Sequence, residues 1–490
     1  MRLAPLPAAL IASSLALPLT ALDARDVLRA RAETPAARPL EDRALTLGVG
    51  PGNRFFSLTT GDNVAIVRAL PDINADGKPE VLVGVDLSGT QNILCLDGAS
   101  LGTANVLWSL QTMDGASGGT LYGDQCLVPS ADTDGNGFPN LLAGTSRGGR
   151  TAYAIDAENG TIRWKFDTYL EPESGWVYSL AELNDVTGDG IPDVAFGAGS
   201  MNDTLYLVSG ASSTPGQAAV LWRHHALDAI YSVRNLGDVN GDGNHDVLAA
   251  IGDLAHQIQV VSGATASSTG QVLWTYPTGT FSAFAVEVMP DVTGDGIAEA
   301  LAVLWANNGS GVRCLNGATG ALVWSSTTVS DPGMMVDLLG DVNGDGKPEV
   351  IVSSWDNAVQ VLSGADGTQL WRSAVGTLNG GDVWTARAIG DLNSDGFQDV
   401  IAGSFDYHVY AMNGRAGDIF WAFNTGNRVF SVAPIGDLNG DGTPDVLAGT
   451  QDTNTSVTVH VLEGDAGIEP PIFADGFESG GTAAWSLTIP

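Results

Sequence analysis

The sequence predicts an all-β fold, an eight-bladed β-propeller of four-stranded antiparallel blades, closed by an N-terminal strand that completes the last blade. Three observations predict it. An acidic loop recurs eight times, beginning at Asp72, Asp132, Asp185, Asp238, Asp291, Asp341, Asp391 and Asp437, at intervals of 46 to 60 residues. A period of about 50 residues means one supersecondary unit per copy. Four short apolar segments follow one another in fixed order within each unit, and the fourth carries a Trp in seven copies: Trp108, Trp164, Trp222, Trp274, Trp324, Trp371 and Trp421.

The seventh unit shows the elements most clearly. V-W-T-A-R-A-I leads into the loop at Asp391, and D-V-I-A-G-S, V-Y-A-M-N-G and I-F-W-A-F follow. Short runs rich in Val, Ile, Leu and aromatics, bounded by Gly, Asp and Asn, read as strands, and no stretch of the unit has helical period. One large aromatic per fourth strand suits wedge-shaped packing between neighbouring sheets better than a ligand platform. The eighth unit lacks that strand, because V-H-V-L-E-G runs into G-I-E-P-P at 467–471. The missing piece lies at the other end: residues 55–72 align without gaps to residues 420–437, placing Phe56 on Trp421 and Gly61 on Gly426. The strand near 54–60 is therefore expected to complete the last blade and remove two raw sheet edges. The expected organisation is a signal peptide at 1–24, a linker at 25–53, the propeller at 54–467 and a tail at 468–490.

Each loop offers oxygen donors at positions 1, 3, 5 and 9, with Gly at 6. Alternate residues of a tight turn face one concavity, the Gly permits the bend, and the ninth residue can close the shell of a hard cation such as Ca²⁺. Seven loops fit fully: Asp72, Asn74, Asp76 and Glu80; Asp185, Thr187, Asp189 and Asp193; Asp238, Asn240, Asp242 and Asp246; Asp291, Thr293, Asp295 and Glu299; Asp341, Asn343, Asp345 and Glu349; Asp391, Asn393, Asp395 and Asp399; Asp437, Asn439, Asp441 and Asp445. The second loop, Asp132, Asp134, Asn136 and Asn140, has two carboxylates and is expected to be the weakest site or empty. Seven to eight Ca²⁺ sites are thus expected, against the alternative of metal-free Asp/Asn/Gly turns. Helices and the Glu at position 12 that an EF-hand needs are missing.

The net charge of −35 has a local cause, since 23 of the 56 acidic residues occupy these ligand positions. With only 21 Lys and Arg spread thinly, nucleic acid is not an expected partner. Arg2 followed by an uncharged run at 3–22, with small residues at Ala21 and Ala24, reads as an export signal; Pro5, Pro7 and Pro18 favour cleavage over an uncleaved span. No later segment is apolar for long enough to cross a membrane, so a secreted, periplasmic or cell-surface location is expected. Cys95 and Cys314 share one strand position and read as core residues, with a Cys95–Cys126 bridge as the alternative.

The D-x-N-x-D-G-x-x-D/E loops, each leading into a strand of the D-V-L-A-G type, resemble the FG-GAP (VCBS) repeats of integrin-α-type propellers over residues 54–467. The resemblance implies calcium between the first and second strands, on the lower face, and an adhesion or binding role. That family usually has seven blades, whereas eight are counted here. The third and fourth strands, such as V-Y-A-M-N-G-R-A-G-D-I-F-W-A-F, are similar to pyrroloquinoline-quinone dehydrogenases and the outer-membrane assembly propeller, which do have eight. The adjacent cysteine pair of the quinone enzymes is missing, so the cofactor is not carried over.

Catalytic patterns are weak. Gly144–Gly148 matches G-x-S-x-G but follows a short strand with no helix after it, and His224 and His225 read as surface residues in a connection between blades. The polar set of interest lies four residues before each loop: Arg68, Arg234, Glu287, Asp337 and Arg387. Three residues earlier stand Tyr178, Tyr231, Phe284, Trp384 and Phe430. Among these, Trp384, Arg387, Arg234, Tyr231, Glu287 and Asp337 are candidate ligand-binding residues at the channel mouth; compensating ion pairs along a narrow axis are the alternative. The expected function is an exported, calcium-binding binding or adhesion module for a protein or glycan. An enzyme on the same scaffold, a polysaccharide lyase or sugar dehydrogenase, is the alternative.

Overall fold

The computed structural model describes residues 54–465 except for 87–91, 113–118, 122–124, 148, 172–174, 200–202, 213–216, 253–254, 306–310, 328–334, 376–380 and 452–456. The expected signal, linker and tail lie outside the described residues. Eight antiparallel sheets form a ring, as the sequence predicts, and the inner strands of successive blades lie against one another around the axis. In blade 7 the order from axis to rim is Val383–Ile389, Asp399–Ser404, His408–Met412 and Ile419–Asn424. The second strands are buried along their whole length, because a neighbouring blade covers each face. Among the described residues no helix is long and apolar enough to cross a membrane.

Arg54–Thr59 pairs antiparallel with Thr458–Leu462 and becomes the outer strand of blade 8, with Phe56 opposite Val461 and fully buried. Gly102–Thr103, from the third-to-fourth turn of blade 1, then pairs in parallel with that strand and covers its free edge. Blade 2 departs from the regular pattern. Its inner strand is interrupted, with Gly119–Leu121 and Leu127–Ser130 both pairing with Asn140–Arg147.

The outer tryptophans pack blades together, as their repetition predicts. Trp108, Trp274, Trp324, Trp371 and Trp421 each donate their indole N–H to a carbonyl of the next blade: Ala157, Gly317, Gly364, Gly414 and Gly464. The rings of Trp108, Trp274, Trp324 and Trp371 also lie flat on a glycine of that blade. A Cβ at Gly367 would stand 2.5 Å from Trp324, and Gly160, Gly320 and Gly417 are as crowded.

The strands also decide three smaller points. His224 and His225 stand on the outer strand of blade 3 rather than in a connection, where His224 meets Gln259 of blade 4 and His225 meets Thr204, because the strand Val220–His225 runs on past Trp222. Gly144 and Ser146 lie within the second strand of blade 2, Asn140–Arg147, with Ser146 buried, so no nucleophile elbow exists there. Cys95, Cys126 and Cys314 are free and buried.

Deleting residues up to Thr60 is expected to destabilise the protein far more than deleting residues after Pro470, in paired thermal melts. Equal losses would refute closure by the N-terminal strand. Ala75 and Ser394, at φ 65° and 61°, hold the left-handed position that Gly fills in the other loops. Ala75→Gly and Ser394→Gly should each stabilise by about 1 kcal/mol in denaturant titrations.

Candidate metal loops and channel mouth

Each acidic loop folds around its first carboxylate. Asp72 accepts the backbone N–H groups of Ala75, Asp76 and Gly77, and Asn74 and Asp76 each accept one from two residues on. Asp185, Asp238, Asp341 and Asp437 are wrapped in the same way. Gly at position 6 takes φ between 82° and 94° in all eight loops, which is why no side chain is tolerated there. The N–H of Gly77, Gly190 and Gly346 draws the pKa of Asp72, Asp185 and Asp341 below the ordinary carboxylate value.

The ninth residue has a second task. Glu80, Asp193, Asp246, Glu299, Glu349, Asp399 and Asp445 are all fully buried. In five blades the carboxylate accepts one N–H from loop position 2 and another from a glycine in the third-to-fourth turn. The pairs are Ile73 and Gly98, Val186 and Gly210, Val239 and Gly263, Leu392 and Gly414, and Leu438 and Gly464. A Cβ on these glycines would fall 1.9–2.0 Å from the carbonyl before the ninth residue, so the turn is pinned to the loop. Blade 2 changes both partners, with Asn140 for the acid and Ala157 for the glycine. This glycine was legible as a small residue two places after the third strand, but its partner was not.

Positions 1, 5 and 9 bring carboxylate oxygens within 4.8 Å of one another in three loops: Asp72, Asp76 and Glu80; Asp291, Asp295 and Glu299; Asp341, Asp345 and Glu349. Asp441, Glu463 and Asp465 form a fourth such group; among the described residues the other loops are not gathered in this way. The all-oxygen donor set suits a hard cation. Glu299 Oε2 and Glu349 Oε1 strengthen the fit, because both are buried without a hydrogen-bond partner, and a cation would satisfy them.

Toward the opposite end of the inner strands lie the aromatics, with the charged residues three places nearer the loops. Most inner strands carry a β-bulge at the residue seven before the loop, as between Val177 and Ser179, Ile230 and Ser232, Ala283 and Ala285, Val383 and Thr385, and Val429 and Ser431. The extra residue restores the aromatic and the charged residue three places later to one face. Arg234 Nε lies 3.0 Å from Glu287 Oε2, and Arg387 Nη1 lies 3.9 Å from Asp337 Oδ2. Asp337 also accepts the N–H of Ala388 from the neighbouring blade; burial raises its pKa against the pull of Arg387. Arg68 donates to the Val67 carbonyl. Compensating pairs on the axis are thus present.

The rings form two runs. Trp176, Tyr178, Tyr231, Phe284 and Trp305 touch in sequence, with centroids 5.3–6.0 Å apart. Trp355, Trp384, Phe405 and Phe430 form the second, at 4.7–5.8 Å. Trp305, Trp355 and Phe405 were missed from the sequence; the available signal was an aromatic fourteen residues after the first Asp of the loop. Blades 3 and 4 carry Gly199 and Gly252 at that position, where Ala229 with Tyr178, and Tyr231, respectively, occupy the space a side chain would need.

Residues 341–402 match the FG-GAP-like repeat family. Human integrin alpha-7 is 36% identical over 79 residues, which are 16% of this chain and 6% of that protein. Three solved structures share the fold. Sqt1 of Saccharomyces cerevisiae has TM-score 0.61 at 13% identity, covering 85% of this chain and 100% of that one. The V. cholerae biofilm matrix protein Bap1 has TM-score 0.56 at 15% identity, covering 85% and 91%. BamB from Moraxella catarrhalis has TM-score 0.50 at 15% identity, covering 84% and 97%.

Burial lifts the ninth-residue carboxyls from an ordinary 3.8 to about 6 at Asp246 and about 7 at Asp399 and Asp445. A carboxyl whose folded pKa exceeds its unfolded one binds its proton more tightly when folded, so stability is lost as pH rises through that interval. Metal-free protein is therefore expected to melt at a higher temperature near about pH 5 than near about pH 8. A melting temperature that rises steadily from pH 5 to pH 8 would contradict this assignment.

Proposed function

We propose that this protein is an exported, calcium-stabilised propeller that acts as a binding module, with its ligand seated on the face opposite the metal loops. The observation that carries the calcium part is the pair of buried, unpartnered oxygens Glu299 Oε2 and Glu349 Oε1, beside the gathered carboxylates of their own loops. Positions 1, 3, 5 and 9 of the seven complete loops would hold the ion, and Asp132, Asp134, Asn136 and Asn140 the weakest one. Bound Ca²⁺ supplies positive charge that offsets the repulsion among the loop acids. The partial likeness to integrin alpha-7 supports an extracellular setting and a protein or glycan ligand.

The binding part rests on the channel mouth. Trp384, Arg387, Arg234, Tyr231, Glu287 and Asp337 line it, and no metal loop borders it, because the loops sit at the other end of the same strands.

Each filled site should stabilise the fold by about 2.7 kcal/mol at a hundredfold excess of Ca²⁺ over Kd. Chelation should therefore lower the melting temperature, and readdition of Ca²⁺ should restore it; indifference to chelator on protein shown to be metal-free would remove the calcium reading. In glycan and peptide array screens, Arg387→Ala should lose the hits of the parent protein while keeping the calcium-dependent melting shift. If Arg387→Ala instead unfolds the protein and spares affinity in the folded fraction, Arg387 serves the ion pair alone.

A further inference from the structure

The aromatic band at the channel mouth is not explained by the packing of any one blade. The outer tryptophans recur in blades 1 to 7 because each solves the same packing problem. The band instead spans blades 3 to 8 only and draws on two different repeat positions, with Trp176 added from a third. In blades 1 and 2 the equivalent positions hold Ala65 and Gln125, and Asp86 and Ser146. Trp176, Tyr231, Trp305, Trp355 and Trp384 remain partly exposed, so large ring surfaces are open to a ligand in spite of their mutual contacts.

Two further features narrow the ligand. The indole N–H groups of Trp176 and Trp355, like that of the outer Trp222, are buried with no hydrogen-bond acceptor, so a ligand would meet Trp176 and Trp355 through their rings rather than through N–H donors. The charges beneath the rings cancel in the pairs Arg234–Glu287 and Arg387–Asp337, so the floor offers hydrogen bonds without net charge. The chain as a whole carries −35 and repels a polyanion.

Resting on the binding-module reading above, we infer that the band is a carbohydrate platform for an uncharged, linear oligosaccharide laid across blades 3 to 8. Rigid rings give wide contact with the C–H faces of sugars at little entropy cost. The Arg234–Glu287 and Arg387–Asp337 pairs take the sugar hydroxyls.

Isothermal titration of the folded, calcium-loaded protein with cellohexaose, maltohexaose, laminarihexaose and chitohexaose tests this, with hexagalacturonate and a tyrosine-containing neutral peptide in parallel. The expected result is saturable binding of at least one neutral hexasaccharide, insensitive to added salt and accompanied by a change in tryptophan fluorescence. Tyr231→Ala and Trp384→Ala should each weaken it by about tenfold or more. Trp384→Phe, which keeps the ring packing, should weaken it less, and Leu322→Ala on the exposed outer strand of blade 5 should leave it unchanged. Binding of only the hexagalacturonate overturns the assignment to an uncharged sugar and binding of only the peptide overturns the carbohydrate assignment, while loss of either in Trp384→Ala keeps the binding-module reading. Neutral-sugar binding that survives both alanine variants places the site elsewhere and overturns this inference. Failure of all four neutral sugars on protein with a native melt overturns it as well, and array hits indifferent to Arg387→Ala overturn the channel-mouth reading beneath it.

Discussion

A buried carboxylate in nearly every blade holds the lower half of this molecule together. The ninth loop residue lies between the first-to-second loop and the third-to-fourth turn, and its two oxygens bond to backbone N–H groups on both sides. Such a bond to a charged group is stronger than one between neutral groups, yet the charge must be kept out of water, which is costly unless something offsets it. The two effects share one side chain. Backbone donors recover part of the loss, and the raised pKa of Asp246, Asp399 and Asp445 records what they leave unrecovered. A cation in the loop would recover the rest.

That constraint explains why the fold was legible at the level of repeats. The loop cannot vary without losing either its first carboxylate, around which the turn folds, or its ninth, which pins the neighbouring turn. The pattern therefore survives in plain sight from Asp72 to Asp445. The closing strand was legible for a related reason: Phe56 must fill the place that Trp421 fills in blade 7, so residues 55–72 kept the outer-strand pattern. Register was harder to read. The bulge at Tyr231 or Trp384 turns a spacing of three into a shared face, and no composition rule announces a bulge in advance. Likewise Gly98 and its equivalents look like ordinary turn glycines until the fold brings a carbonyl to where it would stand 1.9 Å from an added Cβ. The two-segment inner strand of blade 2 escaped because each segment, Gly119–Leu121 and Leu127–Ser130, is short.

The axis poses a different problem. Inner strands end each sheet there, with N–H groups that no further strand of the same blade can receive. Ser431, Ser179 and Ser232 answer it by accepting the N–H of Val67, Val233 and Val286 from the next blade. Asp337 does the same for Ala388. Some polar residues on this surface are therefore structural, and the charged pairs of Arg234 and Arg387 serve the ring even without a ligand.

The rings above them obey no such requirement, and this distinguishes the two faces. Where a side chain answers a need of the repeat, it recurs: the ninth acid in seven blades, the outer Trp in seven. Where residues are free of that need, they diverge, with aromatics over blades 3 to 8 and Ala65, Asp86, Gln125 and Ser146 over blades 1 and 2. Blades 3 and 4 carry Gly199 and Gly252 where later blades carry Trp305, Trp355 and Phe405, and Tyr231 takes up the space at Gly252. A surface whose pieces are fitted across blade boundaries, from positions that differ between blades, has been shaped as one object around the ring. The acidic loops and the aromatic rings thus occupy separate positions on a common set of strands.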